Sequence, residues 1–504
     1  MKENNTEEFG KWRSFFWPIH RWELKKFLPM FFMFFLISFN YNALRACKDS
    51  LVVTAPNSGA EAIPFIKVWA ILPGALILTY LFTRLSNRFS REKVFYIMMF
   101  VFLGFFMLFT FVLFPAQEYI HPNKFADKMQ ALLPEGFMGL IAMFRNWTFT
   151  LFYVMSELWG TAILTVLFWG FANEVTKVGE AKRYYGLLMI GANIAGIISG
   201  QASVYLSDTK FLSFIPYGKC SWDQSILFLN CLIIFSGVVT VAIYRWLNHN
   251  VILPNEKTEP RPAKVKMSMR KNFAYLAKSK YLICIALVVL TYNISINLVE
   301  VVWKNQIKQV YPNPSEYNVY MGEVMTLMGI IATVTAILTA FAIRRFSWTF
   351  NAIIPAVIML ITGAGFFLFV LFPDSGLNWF AAMIGSTPLV LSVTLGGIQN
   401  CFSRASKYTI FDATKEIAFI PLSNESKVKG KAAIDGVGSR LGKSGSSVIH
   451  QSLLIFFSSV SASTPYVAGV FLVVVLIWIL SVVSLGKQFD SLTKPTLEKE
   501  PLLQ

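Results

Sequence analysis

The apolar residues of this chain fall into long runs that short polar segments separate. A run of roughly 18–25 apolar residues is long enough to cross a bilayer core of about 30 Å as a helix. This pattern predicts an all-α polytopic membrane protein. The twelve predicted transmembrane helices are 27–46, 62–83, 94–115, 138–171, 184–206, 225–247, 280–303, 319–343, 350–372, 379–403, 432–459 and 465–485.

The one long polar stretch between the runs, residues 249–279, contains three prolines and a basic stretch. We interpret it as a linker between two six-helix pseudo-repeats. The motif Arg88-Phe89-Ser90 recurs as Arg345-Phe346-Ser347, in each case after the second helix of a half. Two parallel six-helix repeats predict a major facilitator-like architecture. The predicted parts are a cytoplasmic N-terminal segment (1–26), an N-terminal bundle (27–248), a cytoplasmic linker (249–279), a C-terminal bundle (280–486) and a cytoplasmic tail (487–504).

Lys and Arg are concentrated in alternate connections between the predicted helices, which accounts for the net charge of +17. The positive-inside rule places these connections and both termini in the cytoplasm. Nucleic acid is therefore not needed to explain the charge. The polar residues 1–10 are not followed by a short apolar segment with a small-residue cleavage site, so we expect no removable signal. This favours a bacterial inner membrane over a plastid envelope.

Charged side chains inside spanning helices are costly, so each one is a functional candidate. The candidate cations outnumber the candidate anions, and a buried positive surplus predicts a polyanionic, phosphate-bearing substrate. Polar residues on the same helix faces complete the candidate site, and a proton relay through its two glutamates is compatible with anion binding. The cations are Arg45, Lys48, Lys67, Lys407 and Lys443, the anions are Glu157, Glu300 and Asp435, and the polar residues are Tyr153, Asn293 and Asn297.

Each of these charges also has a structural explanation. Arg45, Lys48, Arg404 and Lys407 lie near predicted helix ends, where long cationic side chains anchor a helix at the membrane surface. The deeper charges are equally compatible with buried ion pairs.

The segment from Ser426 to His450 has a narrow polar stripe at helical spacing, with Lys443 at its centre. Gly442-Lys443-Ser444 does not complete a phosphate-binding P-loop, because position 437, where the first glycine would stand, is Val. We therefore expect a helix whose polar face lies in the protein interior.

The sequence contains no metal or cofactor signature. Its five cysteines have no CxxC spacing and are expected to be free thiols, and its four histidines are scattered. We expect no cofactor and no enzymatic activity. A membrane enzyme that acts on a phosphorylated substrate is a remote alternative.

Several phrases of the sequence closely resemble the non-mitochondrial ATP/ADP translocases of obligate intracellular bacteria and plastids. The resemblance extends from about Phe15 to Gln488. The phrases include Lys48 to Ala55, Ile63 to Lys67, Ser156 to Gly160, Phe168 to Asn173, Ile296 to Glu300, Phe411 to Glu416 and Leu441 to Gly445.

This resemblance implies a twelve-helix carrier that exchanges nucleotides across a membrane, typically ATP inward for ADP outward. We expect it to function as a monomer in the lipid bilayer. Four charged positions that matter for transport in the family match Lys67, Glu157, Glu300 and Lys443. By this resemblance the two lysines would meet the phosphates from opposite halves. The two glutamates would balance charge, contact the nucleoside or gate closure.

The chain departs from many relatives at Arg45-Ala46-Cys47-Lys48-Asp49, where they read Arg-Asp-Thr-Lys-Asp. The missing acid leaves base selectivity and coupling open. Similar proteins import nucleoside triphosphates such as GTP, ATP or UTP together with protons, and that function is the alternative within the family.

Overall fold

The computed structural model describes residue 13 and residues 17–252, 279–373, 377–423, 430–431, 434 and 439–493. The regular structure in these ranges is helical throughout. Ten of the described helices are long and apolar enough to cross a membrane. Two further long helices, in the tenth and eleventh predicted positions, are more polar than these ten.

The N-terminal half contains six long helices, with short helices at Gln117–Ile120, Asn123–Leu132 and Met138–Arg145 before the fourth. Their lengths suit a membrane crossing, because a helix rises 1.5 Å per residue. They are α1 (Leu24–Val53), α2 (Ala62–Arg88), α3 (Arg91–Leu113), α4 (Trp147–Val175), α5 (Val178–Ser207) and α6 (Ser221–Asn250).

The C-terminal half repeats this arrangement. The first long helix after Trp348–Leu371, the tenth in the protein, continues through a π-helical segment, Lys407–Phe411. A short helix, Leu377–Met383, precedes it. The six long helices are α7 (Lys280–Val310), α8 (Pro314–Arg345), α9 (Trp348–Leu371), α10 (Pro388–Ser406, Lys407–Phe411 and Asp412–Ala418), α11 (Ser439–Phe457) and α12 (Val460–Thr493).

Several predicted helix limits differ from the structure, and three of the differences have a clear physical reason. Helix α1 continues beyond residue 46 to Val53, because its charged last turns are buried against oppositely charged partners. The predicted helix 138–171 is divided at Asn146. The predicted helix 379–403 is displaced, since Gly385 has a φ of +67° and the membrane helix starts only at Pro388.

The two halves have matching internal packing. Helix α1 packs on α5 and α6, as α7 packs on α11 and α12. The repeated Arg-Phe-Ser motif also has one structure in both halves: Phe89 and Phe346 end a helix in extended conformation, and Ser90 and Ser347 cap the next helix through their hydroxyls. Several helix pairs join the halves. The pairs α5 with α8 and α2 with α11 are equivalent under the repeat, and α1 also packs on α8.

The halves hold together at one end of the bundle. We call this the closed end, and it carries the connections 54–61 and 311–313. The opposite end, with the connections after Arg88 and Arg345, is here called the basic end. In the described ranges, every hydrogen bond and ion pair between the halves lies in the part of its helices nearer the closed end.

Glycines allow the helices to approach closely at the closed end. A Cβ on Gly200 of α5 would lie 2.5 Å from the carbonyl oxygen of Gly322 on α8 and 2.8 Å from the backbone nitrogen of Thr326. Ser203, one turn later, is fully buried at the same interface. Small residues that bring backbones together are the usual basis of helix association in membranes.

Candidate functional site

A buried chain of ion pairs crosses from the N-terminal to the C-terminal half. On α1, Lys48 Nζ lies 2.9 Å from Asp49 Oδ1 and 3.0 Å from Glu157 Oε1 of α4. The other oxygen of Asp49 lies 2.8 Å from Lys304 Nζ of α7. Asp49 and Lys304 are 0% and 1% exposed, so this contact between the halves excludes water.

Glu300 on α7 continues this chain. Its carboxylate lies 3.0 Å from Lys304, one helical turn away, and 3.2 Å from Arg404 of α10. Lys67 of α2 lies 3.4 Å from Glu300 and donates a 2.7 Å hydrogen bond to Asn297 Oδ1. One carboxylate is therefore shared by three cations, two from its own half and one from the other.

Irregular helical turns present several of these side chains. Lys67 lies in the π-helical segment Ile66–Ile71, and Lys407 begins the segment Lys407–Phe411. Glu157 precedes a third segment, Gly160–Phe168. Such π turns widen the helix and re-aim its side chains, and they are frequent at functional sites.

From the surroundings of Lys443 on α11 we infer a hollow between the halves. The lysine side chain is exposed, yet the groups that act on it electrostatically come from both halves: Glu157 from one, and Arg404 and Lys407 from the other. Lys67 acts on the same Glu157 carboxylate. Both lysines are therefore within electrostatic range of one carboxylate.

Three of the predicted cations have no acidic partner. Within the described residues, Arg45, Lys407 and Lys443 have no carboxylate within ion-pair distance. Arg45 is buried and its guanidinium lies 3.8 Å from the sulfur of Met328 on α8. Lys407 Nζ lies 4.8 Å from the ring centroid of Tyr408. Among the residues that the structure describes, no carboxylate at ion-pair distance offsets the positive charge of these three side chains.

The other predicted site residues have different positions. Tyr153 is fully buried, and Lys48 Nζ lies 3.8 Å above its ring, a cation–π contact that holds the lysine. Asn293 donates to the carbonyl of Val289 and packs against Gly442 of α11, so it holds two helices together. Asp435 lies outside the described residues.

Interface anchoring does not explain Arg45 and Lys48. They are 7% and 3% exposed, in the interior of a helix that extends to Val53. The apolar run had suggested a helix end near residue 46, because it stops where these charges begin. Buried partners from α4 and α7 stabilise the charged turns instead.

Five residues of this region lie outside the predicted site: Asp49, Lys304, Arg404, Tyr41 and Tyr408. The first three complete the ion-pair chain. Lys304 follows Glu300 at i+4 and Arg404 precedes Lys407 at i−3, so helical spacing alone places both on the faces of predicted residues.

Comparison with known proteins adds to this geometry. Residues 2–489 match a protein-family model described as "TLC ATP/ADP transporter". ADP,ATP carrier protein 1 of Chlamydia muridarum is 47% identical over 97% of this chain and 93% of its own length. The chloroplastic ADP,ATP carrier protein 1 of Arabidopsis thaliana is 42% identical over 95% of this chain and 76% of its own.

Solved structures share the fold at low identity. A D-xylose–proton symporter matches with a TM-score of 0.56 at 12% identity, over 92% of this chain and 97% of its own. A bacterial homologue of the iron transporter ferroportin, in its inward-facing state, matches with a TM-score of 0.55 at 12% identity, over 93% of this chain and 100% of its own. The fold is thus major facilitator-like.

The matched length, the identity to curated carriers and the paired six-helix bundles agree. The chain belongs to the TLC ATP/ADP transporter family.

Proposed function

We propose that this protein is a membrane carrier that exchanges ATP for ADP by alternating access. The observation that carries the proposal is the exposed Lys443, which lies in the hollow between the halves without an acidic partner among the described residues. A nucleotide's phosphates supply the missing negative charge. The family and the names of the relatives from Chlamydia and Arabidopsis support the same substrates.

The unpaired cations form the phosphate site in this proposal. Lys443, Lys407 and Arg45 bind the phosphates, because each lacks a competing carboxylate. Lys67 has a different role from the one implied by the resemblance, since Asn297 and Glu300 already engage it. Together with the Asp49–Lys304 pair, Lys67 and Glu300 form a gate that keeps the closed end shut.

Release of this gate and closure at the basic end would expose the same site to the other side of the membrane. Rocking of two repeats about a central site is the general mechanism of this architecture. Substrate binding favours the transition only if it interacts differently with the two states. Neutralisation of the unpaired cations by the phosphates provides that difference, because an empty cationic site is costly to enclose.

Orientation follows from the distribution of charge. The basic end carries Arg84, Arg88, Arg91, Lys93 and Arg345, so we place it in the cytoplasm together with both termini. The closed end then faces the outside of a bacterial inner membrane. In this orientation the described hydrogen bonds and ion pairs between the halves lie toward the outer side of the membrane.

Uptake into reconstituted vesicles tests the proposal. Labelled ATP should enter vesicles loaded with ADP and should not accumulate in empty vesicles, with or without a protonophore. Lys443→Ala should abolish uptake, whereas Lys93→Ala, an exposed lysine at the basic end, should not change it. Protonophore-sensitive accumulation in empty vesicles would establish net import instead. Recovery of chemically changed nucleotide would indicate an enzyme.

A further inference from the structure

One exposed aromatic ring in the hollow has no role in the ion-pair chain. Tyr408 follows Lys407 in the π-helical segment of α10 and is 46% exposed. The groups that act on its hydroxyl include Arg404 and Lys443 from its own half and Arg45 from the other. Charged groups of both halves therefore lie around this exposed side chain.

A second tyrosine approaches from the N-terminal half. Tyr41 lies on α1, one turn before Arg45, and its ring packs over Gly160, where a Cβ would come within 2.7 Å of a ring carbon. Tyr408 is among the groups that act on Tyr41. The two tyrosines, one from each half, are thus within electrostatic range of one another and of Arg45.

The surroundings of Tyr408 are suited to an aromatic ligand. Lys407 Nζ lies 4.8 Å from the centroid of its ring, and 46% of the residue's surface is accessible to a ligand. An aromatic surface beside phosphate-binding cations matches the two ends of a nucleotide. Nucleobases stack on tyrosine rings with little dependence on sequence, since every base presents a π face.

We propose that the nucleobase of the substrate stacks on Tyr408, with Tyr41 closing the opposite side. This inference rests on the proposed function and assigns the part of the substrate that the cations leave unbound. Tyr408 is a positioning residue for the base. The phosphates remain on Lys443, Lys407 and Arg45.

Competition experiments separate the base from the phosphates. Uptake of labelled ATP into ADP-loaded vesicles is measured against unlabelled ADP and against inorganic pyrophosphate, which has no base. Tyr408→Leu should raise the half-inhibitory concentration of ADP by about tenfold or more and leave that of pyrophosphate unchanged. Tyr408→Phe keeps the ring and should stay within about twofold of the original protein.

A matched control lies on the same helix. Phe402 of α10 is 40% exposed and has no part in the charge cluster, so Phe402→Leu should leave both inhibitions unchanged. If Tyr408→Leu is not inserted into the membrane, Tyr41→Leu should give the same selective loss for ADP.

Two results would overturn the inference. Unchanged inhibition by ADP in Tyr408→Leu would show that the base does not contact this ring. An equal loss for ADP and pyrophosphate would show that the ring only positions Lys407. In either case the original protein would still exchange ATP for ADP, whereas absence of that exchange in the original protein would reject the proposed function itself.

Discussion

The Asp49–Lys304 pair predicts how firmly the closed end is held. Both side chains are fully buried and lie 2.8 Å apart on opposite halves. Removal of one partner from such a pair costs about 3–5 kcal/mol, because the other charge stays buried without compensation. In Asp49→Asn, Lys304 keeps Glu300 at 3.0 Å and Lys48 keeps Glu157 at 3.0 Å, so the lower figure applies.

If the closed end loses about 3 kcal/mol of stabilising free energy, the equilibrium constant between its closed and open conformations shifts toward the open one by about a hundredfold. Cysteine labelling measures this shift. The five native cysteines, all free, are replaced by alanine, and the buried Ser203 becomes the one reactive position through Ser203→Cys. A membrane-impermeant maleimide added from outside then reports each opening. Asp49→Asn should accelerate labelling by about a hundredfold.

A surface variant and a double variant serve as controls for this experiment. Lys219 and Glu118 form an ion pair at 2.8 Å on the surface, so Lys219→Gln should leave the labelling rate unchanged. Asp49→Asn combined with Lys304→Gln removes both charges and should recover much of the slow rate. Labelling of Asp49→Asn within threefold of the original, with the protein intact in the membrane, would refute the gate.

Four further predictions follow from the same contacts. Gly200→Val should accelerate labelling at Ser203→Cys, because the new Cβ would lie within 2.5 Å of the backbone of α8. Gly104→Val should not change the labelling rate, because a Cβ at Gly104 has no neighbour within 4 Å. Equal labelling rates for the two variants would contradict the packing. Glu300→Gln should lower the free energy of unfolding of the nucleotide-free protein by about 3 kcal/mol, because three cations lose their shared carboxylate. In a thermal unfolding assay, added ATP should restore part of the lost stability. Lys443→Ala should reduce ATP uptake more than a hundredfold at unchanged protein level, and full uptake would remove this lysine from the site. Exchange of ATP for ADP without compensating ions moves about one net charge, worth roughly 2.3 kcal/mol per 100 mV. A potential imposed across the vesicle membrane should therefore bias the direction of exchange. A flux independent of voltage would argue against uncompensated exchange.

The fold could be predicted because its signals are local. The length of an apolar run depends only on consecutive residues, and the Arg-Phe-Ser motif repeats a helix end and a serine cap that need no distant contact. The predicted limits were wrong where distant contacts set them. Helix α1 carries Arg45 and Lys48 inside the membrane, because acids on α1 and α4 offset the charge of Lys48.

The candidate site could be predicted only in part. Lys67, Glu157, Glu300 and Lys443 were identified as interior charges, but their spacing along the chain gives no indication of which ones pair. The structure engages Lys67 with Glu300 and leaves Lys443 without an acidic partner among the described residues. The π turns beside Lys67 and Lys407 also had no sequence signal, and they decide where these side chains point.

The amino-acid sequence by itself determined a helical membrane protein of two related halves with a surplus of interior cations, since hydrophobic periodicity and charge are properties of the chain alone. Tertiary structure decided which end of the bundle is shut, which lysine is locked in an ion pair and which remains available to a ligand. Those outcomes depend on how helices more than 200 residues apart in sequence face one another, as Lys67 and Glu300 do, and that is settled only by packing.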